Sequence, residues 1–180
     1  MKQINDYIKE ELKDYDRGIV DMLNMFGKYA SGYQKYLFDK KAKDADSVEI
    51  CSLNEVFTPQ EIEEIKRRVN PQPKMCYENA WKLMDRFYYE KNHDIKYCEG
   101  YLNVKGLPIE HAFNKVDGKY VDCTIELALG RDVKEDTYVV VGEFDEDEVR
   151  NILIENGFYG NIYDSIELKK FKELNKKDIA

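Results

Sequence analysis

Residues 111–125, which read HAFNKVDGKYVDCTI, decide the fold. Asp117 and Gly118 separate two runs that are rich in apolar side chains, residues 109–116 and residues 119–125. An Asp-Gly pair between two such runs is a strong signal for a β-hairpin with a two-residue type I′ turn. The sequence therefore predicts two antiparallel strands at this point of the chain.

The register of this hairpin is expected to bring two polar side chains together. A two-residue turn pairs Val116 with Lys119, and counting outward from that pair places His111 opposite Thr124. Because side chains alternate across a strand, His111 and Asp122 point to the same face of the sheet. They are then diagonal neighbours, about 7–8 Å apart at the backbone. The sequence therefore predicts that the imidazole meets the carboxylate.

A cysteine opens the helical stretch that precedes the hairpin. We predict a helix from about Cys76 to Glu90, and its apolar residues cover so wide an arc that we expect it to be central and largely buried. The N–H groups and the dipole of a helix N-terminus lower the pKa of a thiol. Cys76, His111 and Asp122 are therefore candidates for a nucleophile, its base and the carboxylate that orients the base. The competing interpretation is a structural histidine and a small apolar cysteine in a buried helix.

The loop before Cys76 offers a candidate donor for an oxyanion. Prolines at positions 71 and 73 disfavour helix in the residues before them, so residues 70–73 are expected to be extended. The side-chain amide of Gln72 and the backbone N–H of Cys76 are the two candidate donors. A solvated loop glutamine without a further role is the alternative.

The rest of the chain is predicted to add helices and further strands, which makes the fold class α+β. The other predicted helices lie at residues 3–26 with a kink near Gly18, and at 29–40, 58–69, 145–156 and about 166–174. The other predicted strands lie at residues 95–104 and 137–141. Residues 41–50 are polar and are expected to form a surface connection, and His93 is expected to be solvated in a polar turn.

The length of the chain is typical of one domain with its own hydrophobic core. We predict a single domain over residues 1–180. Its parts are a helical N-terminal extension (1–55), a core of one helix and antiparallel strands (70–141), and a C-terminal helical segment (142–180).

Composition and charge argue against several classes of function. The formal net charge of −8 leaves no basic stripe to meet phosphates, so neither nucleic acid nor a membrane is an expected partner. No apolar run is long enough to span a membrane and no signal segment follows Met1, so we expect a cytoplasmic protein with reduced thiols. The four cysteines are widely spaced and no cofactor motif is present, so we expect no metal and no cofactor.

Residues 76–124 resemble the core of the transglutaminase-like branch of the papain-like cysteine enzymes. The matching pieces are Cys76-Tyr77-Glu78-Asn79-Ala80, Glu99-Gly100-Tyr101, His111-Ala112-Phe113 and Asp122-Cys123-Thr124. The resemblance implies a papain-like core in which a buried helix packs on an antiparallel sheet. It also implies that Cys76 is the nucleophile, His111 the general base and acid, and Asp122 the orienting carboxylate. The sequence departs from the family pattern at Lys74-Met75, where a glycine often precedes the cysteine.

Two functions from different classes follow from these residues. The first is a cysteine-dependent acyl-transfer enzyme that acts on an amide-type bond of a protein, a peptide or another amide, through a thioester on Cys76. It would be a thiol hydrolase or peptidase, or a transglutaminase-like enzyme. Hydrolysis and transfer to an amine share the thioester, so the sequence leaves this choice open, together with the oligomeric state. The second is a non-catalytic binding or inhibitory protein that keeps the fold, for example a phage or host-interaction factor.

Overall fold

The fold combines an antiparallel sheet with helices, as the sequence predicts. The structure, a computed structural model, describes residues 18–88 and 93–177. Within these residues the helices are α1 (18–29), α2 (Gly32–Asp44), α3 (Pro59–Arg68), α4 (Cys76–Tyr88), α5 (Glu146–Asn156) and α6 (Ile162–Lys177). The strands are β1 (Asp46–Val48), β2 (Ile95–Val104), β3 (Leu107–Val116), β4 (Lys119–Val121) and β5 (Thr137–Phe144). The predicted helical residues 3–17 lie outside the described part of the chain.

The five strands form one sheet in the order β1-β5-β2-β3-β4, and every neighbouring pair is antiparallel. The sheet curls so far that its two edges meet. This is shown by Ile50, just past β1, which forms a β-bridge with Tyr120 in β4. The Cys51 N–H donates to the Tyr120 carbonyl oxygen at 2.8 Å. Buried apolar side chains form two clusters, a larger one shared by the sheet and the helices and a smaller one on the opposite face of the sheet.

Helix α4 packs against the sheet within the larger cluster, as its wide apolar arc predicts. Leu83 and Met84 are fully buried, and Ala80 is nearly so. The side-chain amide of Asn114 in β3 donates to the Ala80 carbonyl oxygen at 2.9 Å, which ties the helix to the first strand of the hairpin. None of the described helices is both long and apolar enough to cross a membrane.

The hairpin forms with the predicted turn and register. Asp117 and Gly118 have positive φ angles of 51° and 83°, as a type I′ turn requires. Val116 pairs with Lys119 in the ladder between β3 and β4. The first strand begins at Leu107, slightly earlier than predicted.

The second strand of the hairpin is shorter than predicted, and the prediction of a strand over residues 119–125 is wrong beyond Val121. The chain leaves the sheet there and forms a π-helical turn over Thr124–Ala128. The Asp122 carboxylate favours this turn, because its Oδ1 accepts from the N–H groups of Thr124 (2.8 Å) and Ile125 (3.1 Å). Such bonds from a side chain to the nearby backbone compete with strand pairing.

Residues 41–50 do not form the expected surface connection. Helix α2 continues into this stretch, and Asp46–Val48 forms the edge strand β1, which pairs with β5. Lys41 is buried, and its Nζ lies 2.8 Å from Asp164 Oδ1 and 3.2 Å from Glu110 Oε1. These carboxylates belong to α6 and β3, so no local pattern around Lys41 predicts its burial.

The expectation that His93 is solvated is also wrong. Its Nδ1 lies 2.6 Å from Asp117 Oδ2, and its Nε2 lies 3.1 Å from Glu61 Oε1. Glu61 forms a capping box with Thr58 at the start of α3. His93 therefore connects the hairpin turn to the N-terminus of a helix that is distant in sequence.

Candidate active site

His111 and Asp122 meet where the two strands of the hairpin separate. His111 Nε2 lies 2.6 Å from Asp122 Oδ2, and both side chains are buried. Strand β3 positions the imidazole, and the turn that follows β4 positions the carboxylate. The contact between His111 and Asp122 is the one that the sequence predicts. Asp122, however, reaches the ring from the start of a turn and not from a paired strand.

The Asp122 carboxylate accepts hydrogen bonds at both oxygens. Oδ2 accepts from the ring of His111 and from the Tyr138 hydroxyl at 3.0 Å, while Oδ1 accepts from the N–H groups of Thr124 and Ile125. A buried charge is tolerated when such partners replace water. Because Nε2 of the ring is bound to Asp122, Nδ1 is the ring nitrogen left for the thiol.

Cys76 begins α4, and its thiol interacts with the ring of His111. The His111 side chain and the backbone N–H of Ala112 both act on the thiol and favour its charged form. Burial raises the pKa of the Cys76 thiol. The hydrogen bond with His111, the charge of the ring and the Ala112 N–H outweigh burial, so the pKa of the thiol falls below its ordinary value.

The pKa of the His111 imidazole is shifted in the opposite direction, upward. Burial lowers the pKa of His111, but the charge of Asp122, the hydrogen bond with Asp122 and the interaction with Cys76 together raise it to about 10. A lowered thiol pKa and a raised imidazole pKa both favour transfer of the thiol proton to the ring, which is the step that forms a thiolate–imidazolium pair.

The other three cysteines lie in environments that disfavour the thiolate. Burial raises the pKa of the thiols of Cys51, Cys98 and Cys123, and nearby carboxylates raise it further. Cys76 differs from all of them in the direction of its shift. The electrostatics therefore single out the cysteine that the sequence also singles out.

The early end of β4 allows Cys76 to lie beside β3. The ladder with β4 includes Val116 and Asn114 but stops before Ala112. Alternate residues of an antiparallel strand direct their N–H groups to the same side, so the Ala112 N–H faces the side that β4 has left. This N–H favours the charged form of the Cys76 thiol. A strand continuing to Ile125 would have taken up this N–H.

The Asn79 side chain forms hydrogen bonds both to the loop before Cys76 and to the turn that carries Asp122. Its Nδ2 donates to the Gln72 carbonyl oxygen at 2.8 Å and to Thr124 Oγ1 at 3.0 Å, and its Oδ1 accepts from the Gln72 N–H at 3.1 Å. Asn79 is buried, so these bonds are protected from water. The loop before Cys76 and the turn that carries Asp122 are thus positioned relative to each other by the side chain of Asn79.

The Gln72 side chain does not bond to the other candidate residues in this structure. It is exposed, and its Nε2 donates to the Asn70 carbonyl oxygen at 3.0 Å. Its role as an oxyanion donor stays a prediction. Lys74, at the point where the resembling family often has glycine, has a φ of 66°, in the left-handed region that favours glycine.

A cleft on the helix side of the sheet is lined in part by residues that neighbour Cys76 and His111 in sequence. Its walls include Tyr77, which follows Cys76, and Glu110, which precedes His111. Gly100, another wall residue, pairs with His111 across β2 and β3. A Cβ atom at Gly100 would lie 1.9 Å from the Val139 carbonyl oxygen, so a larger residue would force β5 away.

Sequence reasoning missed Tyr138 as a partner of Asp122. The signal that was available is a tyrosine in the apolar strand over residues 137–141, because a buried tyrosine hydroxyl usually needs a hydrogen-bond partner. The effect of the Ala112 N–H on the Cys76 thiol had no signal in the sequence, since it depends on where β4 ends.

Within residues 18–88 and 93–177, no group of three or more His, Cys, Asp or Glu side chains is arranged to hold a metal ion. Comparison with known proteins finds no family model, no curated protein and no solved structure that matches this chain.

Proposed function

We propose that this protein is a cysteine-dependent enzyme that breaks or exchanges an amide-type bond through a thioester on Cys76. The observation that carries the proposal is the chain of contacts from the Cys76 thiol to His111 and from His111 to Asp122. A thiol with a lowered pKa beside an imidazole with a raised pKa is the arrangement that nucleophilic catalysis by cysteine requires.

We also propose that the core belongs to the transglutaminase-like branch of the papain-like fold. The support is the order of the parts along the chain. The nucleophile begins helix α4, the histidine lies in β3 of an antiparallel sheet, and the carboxylate follows β4. Helices α1 and α2 and helices α5 and α6 then flank this core on its N-terminal and C-terminal sides.

The proposed reaction has two halves. First, the Cys76 thiolate attacks the amide carbonyl carbon, a C–S bond forms, and the C–N bond breaks as the His111 imidazolium gives its proton to the leaving amine. Second, water or an amine attacks the thioester, His111 takes the proton of the attacking group, and the C–S bond breaks to return the thiolate. Asp122 holds the ring in place through both halves.

The negative charge on the carbonyl oxygen needs a donor in each half of the reaction. The N–H groups in the first turn of a helix have no partner within the helix, so the backbone N–H of Cys76 is one candidate. The Gln72 amide is the second candidate and would have to leave the Asn70 carbonyl to serve.

A test of this function uses p-nitrophenyl acetate, a small activated ester that acylates reactive thiols without requiring the natural substrate. We expect release of p-nitrophenol and one acetyl group on Cys76, located by mass spectrometry of the peptides. Added glycinamide distinguishes transfer of the acetyl group to an amine from its hydrolysis by water. Transfer yields acetylglycinamide, whereas hydrolysis yields acetate. Cys76→Ala should release no p-nitrophenol above buffer.

A protein whose Cys76 is not acetylated, and whose release of p-nitrophenol is unchanged by Cys76→Ala, would contradict the enzyme proposal. That result would favour the second hypothesis, a binding or inhibitory protein that keeps the fold. Under that hypothesis Cys76→Ala retains the full biological effect of the protein, whereas under the enzyme proposal the effect is lost.

A further inference from the structure

The first half of β3 has an open edge that leads to Cys76. Strand β2 pairs with β3 along its whole length, from Leu107 to Val116, whereas β4 pairs only with residues 114–116. Leu107 and Ile109 are 64% and 44% exposed, and Glu110 is exposed as well. The described part of the chain therefore places no strand along residues 107–112 on this side. We call these residues the open edge.

The backbone groups of the open edge alternate in direction. Each residue of an antiparallel strand points its N–H and its carbonyl to one side, and the next residue points them to the other. Val116 is hydrogen-bonded to Lys119 across the two-residue turn. Counting by twos from Val116, the residues that point away from β2 are Asn114, Ala112, Glu110 and Pro108. The effect of the Ala112 N–H on the pKa of the Cys76 thiol agrees with this direction.

Two of these outward positions differ in what they offer to a partner. Pro108 has no N–H, and proline within a sheet is confined to positions where its nitrogen faces no ladder partner. Glu110 offers both an N–H and a carbonyl on the side that β4 has left. It lies two residues from Ala112, which is about 6.6 Å along a strand.

We infer that a peptide substrate binds in extended conformation along the open edge, as an added β-strand that exchanges backbone hydrogen bonds with Glu110. The inference rests on the proposed function and specifies its substrate as a stretch of peptide main chain. A strand edge presents donors and acceptors at the spacing of a peptide, which makes an extended peptide the partner that it fits. The edge continues to Ala112, so a bound peptide passes the Cys76 sulfur within about two residues of its bonds to Glu110.

The side chains of such a peptide would contact different surfaces in turn. Successive side chains of a strand point to opposite faces of the sheet. On one face the added strand adjoins the exposed Leu107 and Ile109, and on the other it adjoins the side chain of Glu110. Backbone hydrogen bonds therefore supply the affinity that all peptides share, and contacts with these side chains make the affinity differ from one peptide to another.

The test compares the rates at which peptidyl chloromethyl ketones alkylate Cys76. The parent probe is acetyl-tetraalanine chloromethyl ketone, and each related probe carries one N-methyl group on a single backbone nitrogen. Each rate is divided by the rate of iodoacetamide at Cys76 in the same protein, which removes changes in the reactivity of the thiol itself. We expect N-methylation at one residue to lower this relative rate about fivefold and N-methylation at its neighbour to change it little.

The matching change in the protein is Glu110→Pro. It removes the outward N–H and leaves the donors of the ladder between β2 and β3 in place, as Pro108 already does. We expect the relative rate of the parent probe to fall about fivefold. Thermal unfolding reports whether this variant keeps its fold, and the N-methyl series on the unaltered protein tests the inference independently of the variant.

The outcomes separate the inference from the function on which it rests. Equal relative rates for all N-methylated probes, with iodoacetamide still selecting Cys76, would overturn the inference alone. Equal labelling of the four cysteines by iodoacetamide would overturn the proposed function. A dimer that Glu110→Pro dissociates would overturn the inference as well, because a second copy of the chain would then occupy the edge.

Discussion

Asp122 acts on the site in three ways at once. Its charge raises the pKa of His111, its Oδ2 fixes the orientation of the ring, and its Oδ1 holds the turn that ends β4. The hairpin register was enough to predict that His111 meets Asp122. It was not enough to predict the turn, because strand periodicity contains no information about a carboxylate that bonds the N–H groups just after it.

Asp122→Asn should slow acetylation of Cys76 by p-nitrophenyl acetate. The amide nitrogen of asparagine would face His111 Nε2 as a second donor, and the negative charge that favours the imidazolium would be gone. Serine triads lose roughly 10⁴-fold in kcat on this change, and a cysteine that already forms an ion pair depends less on the carboxylate, so we expect about a 10²-fold loss. Asp147→Asn makes the same chemical change at an exposed position in α5 and should leave the rate unchanged. Equal rates for the two variants would remove Asp122 from the mechanism.

At the scale of elements, the site is formed by a strand that ends early and a helix that begins beside it. The Asp117-Gly118 turn, the strands on either side and the capping box at Thr58 are local features, and each was predictable from neighbouring residues. The end of β4 and the position of the Ala112 N–H beside Cys76 depend on contacts between distant parts of the chain. The sequence therefore predicted which elements form the site. It did not predict that β4 ends early and leaves one side of β3 open to Cys76.

Gly100→Ala should destabilise the pairing of β2 with β5. The new Cβ atom would lie 1.9 Å from the Val139 carbonyl oxygen, which belongs to the backbone and has no freedom to rotate away. Overpacking of this kind costs about 1–3 kcal/mol or more in the free energy of unfolding. Gly18→Ala is the matched control, because nothing lies within 4 Å of a Cβ atom there and helical alanine should stabilise the protein by about 0.5–1 kcal/mol. Urea unfolding measures both changes, and equal midpoints for the two variants would contradict this account of the sheet.

At the scale of the whole molecule, charged side chains connect elements that are far apart in sequence. Lys41 of α2 is buried against carboxylates of β3 and α6, and His93 lies between the hairpin turn and α3. Both residues were predicted to be on the surface because charged and polar residues usually are. Their burial could not be predicted from local pattern, since the groups that compensate it come from other elements.

His93→Gln should reduce stability most at mildly acidic pH. Burial lowers the pKa of His93, but its bonds to Asp117 and Glu61 outweigh burial and raise it. Because the pKa of His93 is higher in the folded protein than in the unfolded chain, protonated His93 stabilises the fold. This contribution is fully present below the unfolded pKa of about 6.5, and it is lost as the pH rises through the folded pKa. The bond from the Thr58 N–H lowers the pKa of Glu61 and the bond with His93 lowers that of Asp117, so their contribution is lost as pH falls through their folded values.

The measurement is urea unfolding of the His93→Gln variant and the unaltered protein. We expect a difference in the free energy of unfolding of about 1 kcal/mol near pH 6, because the partners are partly exposed, and a smaller difference near pH 9. A difference that stays constant between these two conditions would show that His93 contributes by packing alone.

The central claim is that Cys76 and His111 form a thiolate–imidazolium pair, and the pH dependence of Cys76 alkylation by iodoacetamide tests it most directly. The rate at each pH is measured by mass spectrometry of the peptide that contains Cys76. An ordinary thiol with a pKa of about 8.5 loses nearly two orders of magnitude in rate between about pH 8 and pH 6. We expect the rate at Cys76 to fall far less over this range, and to regain the ordinary pH dependence in His111→Ala. A rate at Cys76 of the unaltered protein that follows an ordinary thiol throughout would contradict the account.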